Sequence, residues 1–352
     1  MRLEFAPYLL KFKEPAGTSR GILTEKPTFF IKVYDENNPE LFGIGEAAVF
    51  PGLSPEADGN YVWKLTELMA NVAINRLTDL SRHSSIQFGL ESAIYDFTNG
   101  CKGTYFPSTF TEGEETIEIN GLVWMGDFER MIERIEEKLT EGFRCIKLKI
   151  GSIAWTKELE MIRYIRGKYT ESDLTIRVDA NGGFKYEECK ERLGELADLG
   201  IHSIEQPIQA GQPDLMAKLC KVSPVPIALD EELIGKGNLE ERIETLEKIK
   251  PQFIILKPAL CGGLSGASEW IEEAEKRNIG WWITSALESN VGLNAIAQFT
   301  AFLNAKGPQG LGTGGLFINN FETQITLDKD RLGFNANAKW NTSQFSNLKW
   351  HR

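Results

Sequence analysis

Five short apolar runs, each closing on an ionisable residue, recur through the middle of the chain. The first, Arg144–Ile150, alternates strictly: Ile146, Leu148 and Ile150 share one face, Cys145, Lys147 and Lys149 the other. Thr175-Ile176-Arg177-Val178-Asp179, His202-Ser203-Ile204-Glu205, Pro226-Ile227-Ala228-Leu229-Asp230 and Phe253-Ile254-Ile255-Leu256-Lys257 follow. Their closing residues fall at 149, 179, 205, 230 and 257, roughly one strand–helix unit apart. Runs this short at that spacing constrain the fold to parallel strands joined by crossover helices.

Three more strands fit the same series: Ile117–Val123, Gly280–Thr284 and the short Gln309–Leu311. Helix periodicity lies between them, after Asp127 (a capping residue) and over Trp155–Tyr169, Tyr186–Leu199, Asp214–Val222, Asn238–Ile249, Ser265–Arg277 and Leu293–Asn304. Eight strands with helical crossovers in about 200 residues suit a closed (β/α) barrel. An open doubly wound sheet is the alternative, weakened by the lack of a G-x-G-x-x-G after the first strand. Residues 1–115 break the cadence. Leu3–Phe12, Thr28–Tyr34 and Leu41–Ala47 read as strands, Gly59–Asn75 and Ile86–Asn99 as helices: an α+β domain. Thr111–Glu115 reads as a linker, and the barrel as 116–316. The tail, 317–352, carries Trp340 and Trp350 and is expected to pack back on the first domain.

Composition narrows the function. With 39 Lys and Arg against 50 Asp and Glu, the net charge of −11 speaks against a nucleic-acid or anionic-membrane partner. No run approaches the roughly 20 apolar residues of a membrane span, and the N-terminus lacks signal-peptide features. Five cysteines without C-x-x-C read as reduced thiols of a cytoplasmic protein, and three histidines make a His-rich zinc site improbable. A homo-oligomer is compatible with this composition.

In a parallel barrel, the C-terminal strand ends converge. Strand parity turns Arg177 and Asp179 inward while Ile176 and Val178 face the helices; Asp230 likewise turns in. Asp179, Glu205 and Asp230 within a few Å would repel by roughly 4 kcal/mol per pair at an effective dielectric near 20. A hard divalent cation removes that cost, and an all-oxygen site suits Mg²⁺, with Mn²⁺ a possible substitute. Lys147 and Lys149 share a face, where mutual repulsion and partial burial lower an ammonium pKa; Lys257 approaches from the far side. A base, a metal and an opposed cation suit removal of a proton beside a small-molecule carboxylate. Arg20, in the Thr18–Gly21 loop, and Phe50-Pro51-Gly52 are candidates to close over the pocket. Ser285, Ser289 and the backbone amides of Gly312 and Thr313 are candidate substrate contacts, although a Ser in such a loop is often a helix cap.

Lys147-Leu148-Lys149, Asp179-Ala180-Asn181, Glu205-Gln206-Pro207, Asp230-Glu231 and Lys257-Pro258 together resemble the enolase superfamily, in its muconate-lactonizing-enzyme-like branch. Gly43–Ala47 and Glu91–Asp96 are similar to segments of that family's N-terminal domain. The resemblance implies a modified (β/α)7β TIM-type barrel with an N-terminal α+β capping domain. It also implies Lys149 as base, Lys257 as stabilising cation, and Lys147 beside Lys149. Asp179, Glu205 and Asp230 become Mg²⁺ ligands, with Asn181 and Glu231 supporting them from behind. Ser285–Leu293 is similar to the o-succinylbenzoate synthase family, implying dehydration of a cyclohexadiene carboxylate through an enediolate in menaquinone synthesis. Gly312-Thr313-Gly314-Gly315 stands where dipeptide epimerases carry Asp-x-Asp, which counts against an epimerase. An N-succinylamino acid racemase, a metal-free Schiff-base lyase and a non-catalytic metal-binding barrel remain as alternatives.

Overall fold

The computed structural model describes residues 1–18, 21–151 and 153–352. Three antiparallel strands come first, β1 (Arg2–Thr18), β2 (Gly21–Asp35) and β3 (Asn38–Ala47), side by side in that order. Period-2 burial along β2 puts Lys26, Thr28 and Phe30 on its covered face. Two helices follow, α1 (Tyr61–Ala73) and α2 (Ser84–Thr98). The latter lies on β3 at backbone distance: a Cβ on Gly45 would stand 2.0 Å from the Gly89 carbonyl oxygen, and one on Gly43 2.1 Å from that of Ala93. The Asp96 carboxylate fastens the same contact, accepting from the backbone N–H of Ile44 and of Gly103.

The cadence of the middle of the chain becomes a barrel. After β4 (Ile117–Glu118) come β5 (Gly121–Val123), α3 (Phe128–Thr140), β6 (Cys145–Lys149), α4 (Trp155–Arg166), β7 (Thr175–Asp179) and α5 (Tyr186–Asp198). Then follow β8 (Ser203–Glu205), α6 (Pro213–Val222), β9 (Ile227–Leu229), α7 (Leu239–Ile249), β10 (Phe253–Leu256), α8 (Gly263–Glu275), β11 (Gly280–Ile283) and α9 (Asn290–Phe302). Among the described residues, β5 to β11 form one seven-stranded sheet in chain order, every pair parallel. Gln309 and Gly310 supply the eighth position. Gly310 N–H donates to Ile283 O at 2.8 Å, Gln309 N–H to Glu118 O at 2.8 Å, and Asn120 N–H to Gln309 O at 2.9 Å. Those bonds join the two edges, so the ring closes and the open-sheet alternative falls.

The strand expected over Ile117–Val123 divides in two. Ile117 and Glu118 pair antiparallel with β13 (Arg331–Phe334), which also pairs with β12 (Ile325–Asp328), whereas Gly121–Val123 pair with β6. The break comes where Ile119 and Asn120 meet Gln309 and the chain changes partners. Helix boundaries move by a few residues: α4 ends at Arg166, with Gly167 as its cap, and α9 begins at Asn290. Asp127 and Asn238 cap α3 and α7, accepting from Arg130 N–H and Glu241 N–H.

Ile146, Leu148, Ile176, Val178, Ile227 and Leu229 are buried in the principal core cluster with Ile162, Leu193, Met216 and Leu246 of the surrounding helices. On the inward face, the Arg177 guanidinium lies 4.1 Å from the centre of the Trp282 ring and donates to Pro308 O. The tail returns to the first strands. His351 exchanges backbone hydrogen bonds with Phe5, while Phe321 and Phe345 pack with Phe30, Ile44 and Val291. The five cysteines are free thiols. Among the described residues, no helix is long and apolar enough to cross a membrane.

Substituting Gly45 by Ala forces a methyl group into helix backbone that has no flexible side chain to yield. The expected cost is about 1–3 kcal/mol of unfolding free energy, read from urea denaturation. An unchanged midpoint would mean that α2 shifts freely on β3.

Candidate active site

Parallel pairing aligns the candidate residues directly. Lys149 is the cross-strand partner of Asp179, and Asp179 of Glu205, so three adjacent strands end on three ionisable side chains at one level. Asp230 follows β9 and Lys257 follows β10. Lys147 Nζ bridges Asp179 Oδ2 at 2.9 Å and Glu205 Oε2 at 2.5 Å. Lys149 Nζ donates to the same Asp179 oxygen at 2.9 Å and to Asn181 Oδ1 at 2.7 Å, and Lys257 pairs with Asp230. Asp179 is fully buried, and Glu205 and Asp230 nearly so.

Local backbone geometry holds these groups in place. Asn181 sits at φ 44°, a left-handed conformation that Asn tolerates; its N–H donates to Asp179 Oδ1 and its Nδ2 to Glu231 Oε1. Gln206 is fully buried: its Oε1 accepts from the backbone N–H of Asp230 and of Glu232, and its Nε2 donates to Ile208 O. The side chain of Gln206 therefore orients Asp230. That role went unread in the sequence, although its place within Glu205-Gln206-Pro207 was visible.

The electrostatics are unequal. Burial alone would lower the Lys147 ammonium, but Asp179, Glu205 and Asp230 outweigh it and hold its pKa above the ordinary value. This reverses the expected lowering of an ammonium by crowding, because carboxylates surround the amine. Burial would raise Asp179, yet Lys147 and Lys149 pull it well below the usual carboxylate range. Glu205 goes the other way, pushed up by burial and by its neighbour Asp179. Its Oε1 is buried and has no hydrogen-bond partner among the described residues.

In the arrangement described, no three acidic, His or Cys side chains are grouped as a ready metal site among the described residues; ammonium groups face the carboxylates instead. The donor set nevertheless fits a hard cation. Three buried carboxylates, one with an orphaned oxygen and an excess of negative surroundings, are the groups Mg²⁺ binds.

A cavity opens beside them. Lys147, Lys149, Lys257, Asn181, Asn120, Thr284, Ser285, Gly312 and Thr313 form its polar lining. Phe50, Leu53, Leu122, Trp124, Leu260 and Leu287 supply the apolar walls. Ser285 lines this space, but its hydroxyl donates to Glu288 Oε2. Ser289 caps α9 and donates to Glu46 Oε2 at 2.5 Å, away from the cavity lining. Arg20 lies outside the described residues. Sequence reasoning also passed over the carboxylate of Glu46, which accepts from Thr28, Ser289 and the N–H of Gly292 and so ties the first domain to α9. Strand parity with Phe30 was the available sign that Thr28 and its neighbour Lys26 are buried.

A closed barrel whose strand ends present Lys-x-Lys, three carboxylates and an opposed lysine defines a class, and the chain belongs to the enolase superfamily. The family model "enolase C-terminal domain-like" matches residues 130–319. The chain is 43% identical to o-succinylbenzoate synthase of Desulfotalea psychrophila (strain LSv54 / DSM 12343), over 95% of this chain and 99% of that one. The crystal structure of MenC from D. psychrophila LSv54 superposes with a TM-score of 0.84 at 40% identity, covering 95% of this chain and 99% of that one. A substrate-liganded L-Ala-D/L-Glu epimerase from Bacillus subtilis gives 0.80 at 20% identity, covering 95% and 96%, and shares the fold.

The opposite electrostatic positions of two acids give a stability test. In metal-free protein Asp179→Asn strips two ammonium groups of a shared partner and costs about 3–5 kcal/mol, whereas Glu205→Gln costs much less. Urea unfolding of both variants in a chelating buffer checks the order. Equal losses would mean that the two carboxylates carry the same burden.

Proposed function

We propose that this protein is a Mg²⁺-dependent hydro-lyase converting 2-succinyl-6-hydroxy-2,4-cyclohexadiene-1-carboxylate to o-succinylbenzoate, a cytoplasmic step of menaquinone synthesis. The observation that carries the chemistry is the in-register series Lys149, Asp179 and Glu205 beside a cavity that Lys257 also lines. The choice of substrate is supported by the full-length likeness to an o-succinylbenzoate synthase.

Asp179, Glu205 and Asp230 would hold the ion, with Gln206, Asn181 and Glu231 keeping those carboxylates oriented. When bound, Mg²⁺ supplies Lewis-acid stabilisation of the negative charge that develops on the substrate carboxylate. Lys149 takes the proton α to the ring carboxylate, and the C–H electron pair passes into the enediolate. The C–O bond to the ring hydroxyl then breaks, and the departing oxygen takes the proton back from the Lys149 ammonium to leave as water. The ring becomes aromatic and Lys149 returns to its starting form. Lys257 keeps a positive charge at the far side of the delocalised anion, and Lys147 contacts a carboxylate oxygen. Phe50, Leu53 and Trp124 restrict water at this point.

The presence of Lys149, on the second strand of the ring, and Lys257, after the sixth, in the lining of one cavity also favours a second reading, proton exchange on N-succinylamino acids. Deuterium uptake from D₂O into such a compound measures it directly.

Lys149→Ala is expected to lower turnover of the cyclohexadiene by a factor of roughly 10²–10⁴ or more, followed by ultraviolet absorbance of the aromatic product. Retention of wild-type turnover would remove Lys149 as base. Chelation is expected to abolish turnover and Mg²⁺ to restore it. Saturating Mg²⁺, at about a hundred times its dissociation constant, is expected to add about 2.7 kcal/mol of stability to wild type and little to Asp230→Asn in thermal unfolding.

A further inference from the structure

Between the first domain and the barrel lie three buried ionisable groups that the chemistry above does not use. Lys26, on β2, is 2% exposed, and Glu46 and Glu288 are wholly buried. Glu46 accepts from Thr28, Ser289 and the N–H of Gly292. Lys26 Nζ and Glu288 Oε1 are not so provided: neither has a hydrogen-bond partner among the described residues. Each nevertheless acts on the other. Burial lowers the Lys26 ammonium against the pull of Glu46 and Glu288, and raises the Glu288 carboxyl against that of Lys26. An apolar filling of such an interface is often as stable as a set of buried ions, so stability alone does not account for them.

Glu288 shapes a wall of the cavity. Its other oxygen, Oε2, accepts from the Ser285 hydroxyl at 2.6 Å and from Ala286 N–H at 2.8 Å, and Ser285 Oγ in turn accepts from Leu287 N–H at 2.9 Å. Leu287 stands at φ 61°, a left-handed conformation in which its Cβ crowds the backbone, so this arch needs an outside hold to keep its shape. Ser285, Ala286 and Leu287 all line the cavity, whereas neither Lys26 nor Glu288 does. Lys26 stands behind a second wall residue as well, its Nζ lying 5.9 Å from the centre of the Phe50 ring.

We propose that Lys26 is a positioning residue for the reaction, its ammonium balancing the Glu288 carboxylate and, through it, fixing the arch of residues 285–287 against which the substrate sits. The balancing charge comes from the first domain, so this wall takes its final shape only when that domain is seated on the barrel. Without Lys26, Glu288 is a buried carboxylate facing the like charge of Glu46, and the arch moves to relieve it. The identity of the substrate rests on the dehydration reading above; the hold on the arch does not. A wall of this kind meets the substrate alike before and during proton removal, so its loss falls on KM more than on kcat.

The test uses the full-length protein. In Lys26→Met, amide hydrogen–deuterium exchange at Ala286 and Leu287, followed by mass spectrometry, is expected to quicken roughly tenfold or more, while exchange in the strands of the ring stays unchanged. KM for the cyclohexadiene acid is expected to rise roughly tenfold, with kcat within about threefold and Mg²⁺ affinity within about twofold of wild type. Lys26→Met/Glu288→Gln removes both charges and leaves a side-chain oxygen for Ser285 and Ala286, and is expected to recover most of both losses. A merely structural lysine predicts faster exchange throughout β1 to β3 and no recovery in the double variant. Unchanged exchange at 286 and 287, an unchanged KM, or a double variant no better than the single one would each overturn the proposal. Should Lys26→Met not fold, a double variant that folds with wild-type protection supports the pairing, and one that does not fold overturns it. If wild type does not turn over the cyclohexadiene acid, the dehydration reading falls, and the exchange measurements still decide the role of Lys26.

Discussion

Six ionisable side chains share a largely buried space, and their opposite charges make that burial tolerable. A carboxylate or ammonium stranded in such surroundings costs several kcal/mol, so the arrangement persists through mutual pairing. Lys147 bridging Asp179 and Glu205 is the centre of that pairing. The barrel exists, in this sense, to bring side chains from residues 147 to 257 to one level. Its parallel register sets Lys149, Asp179 and Glu205 abreast, and its closure through Gln309 and Gly310 seals the ring around them. The set is balanced unevenly, with Glu205 the member short of positive charge, and that imbalance is what suits it to a divalent cation.

The first domain is held to this ring by polar contacts as well as apolar ones. Glu46, at the end of β3, is fully buried yet accepts from Thr28 within its own sheet and from Ser289 and Gly292 at the start of α9. Burying a carboxylate between two units makes their relative placement specific, because any other placement leaves the charge without donors. Phe50 lines the cavity three residues beyond β3, so the same fastening sets how that aromatic ring meets the chemistry.

Much of this was legible in the sequence because it is local. Period-2 alternation in Thr175–Asp179 and Cys145–Lys149 told which residues face inward, and recurrence of the motif told that the strands are parallel. What was not legible depends on partners far away. Nothing within Ile117–Val123 announces that its first half pairs with residues 331 and 332. Ser289 looks as suited to a ligand as Ser285 until Glu46, on β3, is seen to accept its hydrogen bond. The rise in the Lys147 pKa likewise comes from three carboxylates at or just beyond the ends of three other strands, whereas Lys149 alone is its visible neighbour in the chain.

The cluster of Phe30, Ile44, Val291, Phe321 and Phe345 draws on both the start and the far end of the polypeptide. On a ribosome, β2 and β3 leave the exit tunnel long before Phe321 and Phe345 exist to cover them. The earliest strands must therefore wait, sticky and half-clad, through the making of some three hundred further residues, so a chaperone that shields nascent chains would matter more to this protein than to one whose opening unit seals itself.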